Sequence, residues 1–145
     1  EIAKGKDRFR IETTGDTTGT WDIDRIFQVV SNLGGNAIEH SPAGTPVHVR
    51  IDGRRPDEVE LAVHNLGPGV PKELRDVLFE PFRGLKDRSC GASSGLGLGL
   101  FITKKLVLAH AGTLTFETQD DAGTTFFVRL PRHTQTRART QPGRV

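Results

Sequence analysis

The sequence predicts an α+β protein built as a two-layer sandwich of helices on a sheet. Two segments carry apolar residues at helical spacing, and about five others alternate apolar and polar residues as half-buried strands do. Four of the alternating segments form two pairs, each joined by a short turn, which indicates two β-hairpins. The 145 residues, 34% of them hydrophobic and 26% charged, suffice for one domain with its own core.

The helices are predicted from capping residues and apolar spacing. The first covers residues 22–40, begins with Asp22 as its N-cap and ends at the Ser41-Pro42 step. Its expected core stripe consists of Ile26, Val30, Leu33 and Ala37. A short helical piece is expected over residues 72–78 and a second main helix over residues 98–111.

The strands are predicted from period-two alternation. The expected strands cover residues 9–13, 47–51, 59–63, 113–118 and 124–130. Turns over residues 53–57 and 120–123 would close the two hairpins, each with one buried face. No internal repeat is visible, so a single layered domain is the expected arrangement.

Bulk composition narrows the function classes. A net charge of +2 is too small to indicate nucleic-acid binding. No apolar run approaches the ~20 residues of a membrane span. The single cysteine, Cys90, excludes an internal disulfide and fits a cytoplasmic location. Residues 1–131 are expected to form the domain, and the basic residues 132–145 a disordered tail. The absence of methionine predicts that the chain is a piece of a longer protein.

The stretch SGLGLGLFITKK, residues 94–105, alternates glycine and leucine before a helix. It matches neither the dinucleotide fingerprint nor the P-loop, because the third glycine and the lysine stand at the wrong spacing. A helix N-terminus near Leu98 with unobstructed backbone amides would nevertheless suit an anion. By itself the stretch leaves two readings open, a hinge or a phosphate site.

A polar stripe lies on the first predicted helix. Gln28, Asn32, Asn36 and His40 follow one another at intervals of four, which places them on one face. Asparagine is a mediocre helix former, so its repetition there needs a reason. The stripe is either a solvated face or a source of neutral amide oxygens for Mg²⁺.

A third polar feature ends the second strand of the first hairpin, in the stretch VHNLGPGVP of residues 63–71. Gly67 and Gly69 would let a planar ligand lie against the backbone, and Asn65 would read the edge of that ligand. A tight turn alone also explains the glycines, although not the asparagine beside them.

Five segments in this order resemble the ATP-binding catalytic domain of sensor histidine kinases. They are NLGGNAIEHS, NLGPGVP, LFEPF, GLGLGLFITKKLVLAHAGTL and GTTFFVRLP, and the resemblance covers about residues 9–131. That domain belongs to the superfamily of gyrase, heat-shock chaperones and mismatch-repair ATPases. The resemblance implies a Bergerat-type ATP-binding fold, with a mixed, mostly antiparallel sheet covered on one face by helices.

The resemblance also implies roles for individual residues. Asn36 would ligate the Mg²⁺ that bridges the ATP phosphates, Asn32 would support the phosphate region, and Asn65 would read adenine. Phe79 and Phe82 would anchor a nucleotide lid of about residues 83–94. The other residues implied in ATP binding are Gly67, Gly69, Val70, Gly95, Leu96, Gly97, Leu98, Gly99, Leu100 and Thr124.

Two positions depart from the family pattern. Asn65 stands where the family usually has an aspartate, so a neutral acceptor replaces a charged one. Glu39 stands where many members carry a lysine or arginine for the phosphates. The remaining candidates to neutralise the γ-phosphate are Arg83, Lys86 and Arg88 of the lid, with His40 as a further donor.

The implied activity is transfer of the γ-phosphate of ATP to a histidine outside this chain. Hydrolysing relatives place a glutamate one turn before the metal-binding asparagine, whereas this chain has Asn32, which cannot act as a general base. Two alternatives remain: an anti-sigma-type serine kinase, and a degenerate module that binds nucleotide without catalysis. The implied partners are an upstream dimerisation domain with the phosphoacceptor and a response regulator; the isolated chain is expected to be monomeric and not to bind nucleic acid.

Overall fold

The computed structural model of the chain describes residues 7–81 and 98–133. They form a five-stranded sheet in the order β1-β2-β3-β5-β4, in which β1 runs parallel to β2 and all other neighbours are antiparallel. The strands are β1 (Phe9–Gly15), β2 (Val47–Gly53), β3 (Glu58–Asn65), β4 (Thr113–Gln119) and β5 (Gly123–Pro131). The helices are α1 (Ile23–Glu39), the four-residue α2 (Lys72–Arg75) and α3 (Gly99–Ala109).

The predicted α+β sandwich and its elements are confirmed. Asp22 caps α1 by accepting a hydrogen bond from the Arg25 backbone amide, and His40 is the C-cap. The short helix is briefer than predicted: α2 ends at Arg75, and the following residues continue only as single turns. No helix among the described residues is long and apolar enough to cross a bilayer.

The core stripe of α1 corrects one prediction. Val30 was expected inside, but it is 42% exposed, whereas Val29 is 1% exposed. Val29, Leu33 and Ala37 are spaced by four and together face the sheet, because residues four apart lie on one face of a helix. They pack on apolar side chains of the sheet's inner face, among them Val47, Val49, Val63, Phe126 and Val128.

Two hydrogen-bonded links join α1 to α3 beyond this apolar packing. At one end, the backbone amide of Asp22 donates to Nε2 of the buried His110, whose Nδ1 lies 3.0 Å from the Leu106 carbonyl. Because Nε2 accepts a hydrogen bond, the proton of the neutral ring is on Nδ1. Near the other end of α3, Asn32 of α1 contacts Gly99 and Thr103. The start of α3 is therefore held against the middle of α1.

The C-terminal boundary lies later than predicted. Arg132 was assigned to a disordered tail, but it is only 9% exposed and donates to the carbonyls of Thr18, Gly53, Arg55 and Pro56. His133 forms a bridge with Thr20. A cationic side chain that satisfies several backbone carbonyls is part of the fold, so the domain continues to His133 at least. Residues 134–145 of the predicted tail lie outside the described residues.

Candidate functional site

The candidate site lies where β3 ends on the inner side of the sheet. There the strands place one residue each in a row across the sheet, Val47, Asn65, Thr124 and Thr118. Val47 is fully buried, and the other three bring polar side chains to an otherwise apolar face. The row ends the core and begins a polar surface, which is the setting expected for a ligand with an apolar body and a polar edge.

Asn65 has one half of its amide satisfied and the other half unfilled. Its Nδ2 donates to the Leu66 carbonyl over 2.8 Å, and the residue is only 3% exposed. A carbonyl can only accept, so this bond fixes which end of the amide is nitrogen. Within the described residues Oδ1 has no hydrogen-bond partner. Since buried polar atoms are nearly always paired, this acceptor is suited to a ligand's N–H group.

Two glycines shape the turn after Asn65. Gly67 has φ +127°, and a Cβ there would lie 3.0 Å from the His40 carbonyl, so the turn packs closely on the end of α1. At Gly69 a Cβ would lie 2.7 Å from Oγ1 of Thr118. The glycines therefore allow the turn to contact α1 and β4 at once, which places Asn65 and the end of α1 on the same side of the molecule.

Thr118 was not predicted from the sequence, although it lies between two predicted site residues. Its Oγ1 accepts from the Val70 backbone amide at 2.8 Å and lies 3.0 Å from Oγ1 of Thr124. The available signal was the hairpin register, which pairs Thr118 with Thr124 on the inner face. Thr118 fixes the position of Val70 and of the Thr124 hydroxyl.

The polar stripe of α1 is not uniform. Gln28 and His40 are exposed, while Asn32 and Asn36 are partly buried. Asn32 Nδ2 donates to Thr103 Oγ1 at 3.1 Å and, more weakly, to the Gly99 carbonyl at 3.4 Å. The side chain of Asn36 makes no hydrogen bond within the part of the chain that is described, so its amide oxygen is available to a ligand. Asn32 and Asn36 thus differ in their surroundings from the two exposed ends of the stripe, and their role as ligands stays a prediction.

The described part of the glycine-rich stretch begins at Leu98. This residue is the N-cap of α3 and gives no side-chain cap, and its carbonyl accepts the first helical bond from Ile102 at 2.8 Å. The first turn of α3 has no acidic side chain. Backbone amides at such a terminus suit a negatively charged group. Leu100 packs on the core and so anchors the start of the helix.

Comparisons with known proteins agree with this arrangement. Residues 21–134 match the family model described as "Histidine kinase-, DNA gyrase B-, and HSP90-like ATPase". The chain belongs to this family. It is 40% identical over 114 residues to the signal transduction histidine-protein kinase/phosphatase MprB of Mycolicibacterium paratuberculosis. It is 35% identical over 111 residues to the adaptive-response sensory kinase SasA of Rippkaea orientalis.

Those two matches cover 76% of this chain but 22% of MprB and 28% of SasA. The chain thus spans less than a third of the length of these relatives. Among solved structures, the catalytic domain of histidine kinase ThkA superposes with a TM-score of 0.73 at 27% identity, covering 91% of this chain and 86% of that one. Full-length ShkA in complex with AMPPNP gives 0.70 at 26% identity, covering 91% of this chain and 27% of that one.

Several predicted residues of this histidine kinase-like domain lie outside the described residues. They are Phe82, Arg83, Lys86, Arg88, Gly95, Leu96 and Gly97. Phe79, which precedes them, is partly buried, and its ring lies edge-on to Phe116 and Phe126 at centroid distances of 5.9 and 6.2 Å. The chain therefore leaves the described core at Pro81 from a firmly packed aromatic cluster.

The described residues contain no cluster of three or more His, Cys, Asp or Glu side chains able to hold a metal. A magnesium ion needs no such cluster, because it retains several waters and takes other ligands from the phosphates of a nucleotide. Asn36 offers one amide oxygen of the kind that Mg²⁺ accepts. The residues present therefore fit a metal that arrives with its nucleotide.

Proposed function

We propose that this chain is the ATP-binding catalytic domain of a sensor histidine kinase, which binds Mg²⁺-ATP and passes the γ-phosphate to a histidine outside the chain. The observation that carries the proposal is the unfilled Oδ1 of Asn65, an acceptor held at 3% exposure beside a glycine turn. The family to which the chain belongs and the AMPPNP bound to its structural neighbour ShkA support the choice of an adenine nucleotide.

At the base end, Asn65 Oδ1 would accept a hydrogen bond from the exocyclic amino group of adenine. Gly67, Gly69 and Val70 would line one side of the base, and Thr124 would contribute its hydroxyl beside Asn65. An aspartate in the same conformation as Asn65 would set an oxygen against the Leu66 carbonyl at 2.8 Å. The asparagine is thus matched to this backbone, because it donates to Leu66 and still accepts from a ligand.

At the phosphate end, Asn36 would ligate Mg²⁺, which when bound neutralises charge on the phosphates. Asn32 and the N-terminal amides of α3 from Leu98 and Gly99 onward would contact the same region, preceded by Gly95, Leu96 and Gly97. The lid of about residues 83–94 would add Arg83, Lys86 or Arg88, and His40 would add a donor at the end of α1. Fixed donors of this kind stabilise charge in a phosphoryl transfer without needing to react themselves.

The same residues favour transfer to a protein side chain over hydrolysis. Asn32 occupies the position one turn before Asn36 and carries an amide, which cannot remove a proton from water. The histidines of the described fold are poor candidates for the acceptor; His110, for example, is buried with both ring nitrogens in contact with polar atoms. The acceptor histidine would belong to an upstream dimerisation domain, and a response regulator would take the phosphate from it.

The test is calorimetric titration of the chain with ATP, with and without Mg²⁺, for the wild type and Asn36→Ala. We expect the wild type to bind Mg²⁺-ATP, and Asn36→Ala to lose at least about tenfold in affinity because the metal loses its protein ligand. Gln28→Ala is the matched control: it removes an exposed amide from the same stripe, two turns earlier, and should bind as the wild type does.

Four outcomes would each contradict a part of the proposal. A wild type that binds no Mg²⁺-ATP contradicts the kinase proposal, and binding by Asn36→Ala at wild-type affinity contradicts the metal assignment. Binding without any transfer, once the chain is joined to its natural upstream segment, would identify a degenerate module. With that segment present we expect acid-labile phosphate on histidine, whereas acid-stable phosphate would indicate a serine kinase.

A further inference from the structure

Thr103 places a hydroxyl inside the interface between α1 and α3. It lies one turn into α3, is fully buried at 0% exposure, and shares the buried side of this helix with the apolar Leu106 and Val107. Threonine is a weaker helix former than leucine or alanine, and its bond back to the preceding turn adds little to a helix. A buried hydroxyl at this place therefore needs a reason other than helix stability.

The hydrogen bonds of Thr103 supply that reason. A hydroxyl has one proton, and Thr103 Oγ1 directs it to the Gly99 carbonyl at 2.8 Å, where α3 begins. The lone pairs of Oγ1 remain, and one of them accepts from Asn32 Nδ2 at 3.1 Å. The same Nδ2 lies 3.4 Å from the Gly99 carbonyl. Both partners of Nδ2 are thus acceptors, so the amide cannot be flipped without setting an oxygen against them.

This arrangement leaves Oδ1 of Asn32 turned away from α3, and it makes no hydrogen bond within residues 7–81 and 98–133. Asn32 lies one turn before Asn36 on the same face of α1, so the two amides are neighbours. One buried hydroxyl thereby sets the orientation of the first amide and ties the start of α3 to it. The Asn32 amide and the start of α3 both belong to the phosphate end of the proposed site.

We propose that Thr103 is a positioning residue for the phosphate end of the nucleotide site. It acts through Asn32, holding that amide so that Oδ1 can accept from a donor at the phosphates, such as a water bound to Mg²⁺. Through the same hydrogen bonds it also fixes the distance between the first turn of α3 and Asn32 of α1. The inference rests on the proposed function, because it presupposes that Mg²⁺-ATP binds at this end of the sheet.

The test compares Thr103→Val, which keeps the shape but removes the hydroxyl, with Thr103→Ser, which keeps the hydroxyl. We expect Thr103→Ser to bind Mg²⁺-ATP within about twofold of the wild type, and Thr103→Val to bind about five- to tenfold more weakly, the loss expected for one hydrogen bond. Thr103→Cys, of similar size, is the second variant if the valine variant does not fold.

A double-mutant cycle separates positioning from a general effect on packing. If Thr103 acts through Asn32, the Thr103→Val substitution should cost less than about twofold in an Asn32→Ala background. A second readout needs no nucleotide: the side-chain amide resonances of Asn32 should shift in Thr103→Val and stay in place in Thr103→Ser.

The outcomes distinguish this inference from the function on which it rests. If the wild type does not bind Mg²⁺-ATP, both are wrong. If it binds and Thr103→Val binds equally well, or loses as much in the Asn32→Ala background as alone, only the positioning role of Thr103 is wrong. The role is supported when the loss is rescued by serine and disappears in the Asn32→Ala background.

Discussion

The two ends of the sheet differ in how fully their buried polar side chains are hydrogen-bonded. At the end near β5's terminus, Arg132 is 9% exposed and donates to four backbone carbonyls over 2.7 to 3.0 Å. At the other end, Asn65 is 3% exposed and satisfies only its nitrogen, through Leu66. The guanidinium of Arg132 is thus hydrogen-bonded within the fold, whereas the amide oxygen of Asn65 has no partner among the described residues.

This difference indicates which end binds a ligand. A polar group that the fold saturates contributes to stability and offers little to another molecule. A buried acceptor without a partner lowers the stability of the fold until a ligand donates to it. A ligand that lacks the matching donor leaves this acceptor unpaired, so the site selects against it. Substitutions at the Arg132 end should therefore change folding, and substitutions at the Asn65 end should change binding.

The largest expected effect is that of Arg132→Ala on stability. Removing the guanidinium takes this donor from the carbonyls of Thr18, Arg55 and Pro56 and leaves that of Gly53 with the Asp16 amide alone. It also opens the junction that joins β2, β5 and the segment before α1. We expect the free energy of unfolding to fall by roughly 3 kcal/mol, measured by urea denaturation. The affinity of the folded fraction for Mg²⁺-ATP should remain within about twofold of the wild type.

Arg132→Lys serves as the matched control, because it keeps the charge but cannot reach four carbonyls with one ammonium group. It should recover less than half of the lost stability. Full stability in Arg132→Lys would mean that charge rather than the branched guanidinium matters there. A selective loss of nucleotide affinity in either variant would contradict the division between the two ends.

Asn65→Leu should show the opposite pattern. Leucine removes the unfilled acceptor and fills similar space, but it also removes the Nδ2 donor to the Leu66 carbonyl. The two effects oppose each other, so we expect only a small net change in thermal stability. The affinity for Mg²⁺-ATP should fall by about tenfold or more, because the adenine amino group loses its acceptor. Parallel titrations with ATP and GTP measure the effect.

Selectivity between the two nucleotides makes this prediction sharper. The wild type should prefer ATP, since guanine presents an acceptor where adenine presents its amino group, and Asn65→Leu should lose most of that preference. An unchanged ATP-to-GTP ratio in Asn65→Leu would show that Asn65 does not contact the base.

The smallest expected effect concerns His64, on the outer face of the sheet next to Asn65 in sequence. Burial lowers the pKa of His64 below its ordinary value of 6.5, with further lowering by His48 and Arg50. Its Nδ1 lies 2.7 Å from Oγ1 of Thr125. The unfolded chain therefore takes up the proton first as the pH falls, so the melting temperature should decline as the pH drops from 7.5 through 6.5 to 5.5.

In His64→Gln the fall in melting temperature between pH 7.5 and 5.5 should be smaller, by roughly a few tenths of a degree to a few degrees. A change of this size is expected for the loss of one partly buried titrating group. Gln28→Ala, an exposed substitution that changes no titratable group, is the control and should keep the wild-type slope. Since His64 faces away from the row that contains Asn65, nucleotide affinity at pH 7.5 should not change in His64→Gln.

Much of the fold followed from local pattern. The alternation in residues 47–51, 59–63, 113–118 and 124–130 predicted the strands, and Asp22 predicted the start of α1, because these features depend on neighbouring residues alone. The choice of Val30 over Val29 was wrong, since both fit a helical stripe and only the direction of the sheet decides between them. The tail boundary was wrong for a similar reason: Arg132 looked like its basic neighbours until distant carbonyls surrounded it.

The features of the candidate site also divide into those predictable from local sequence and those that depend on the fold. The sequence by itself determined the spacing of Asn32 and Asn36, the place of Asn65 at a strand end and the glycines that follow it. Only the tertiary structure decided that Asn65 keeps an unfilled acceptor, that Thr118 holds Val70, and that Thr103 orients Asn32. Periodicity is a property of one segment, whereas the filling of a donor or an acceptor depends on which atoms the fold brings together from segments far apart in the chain.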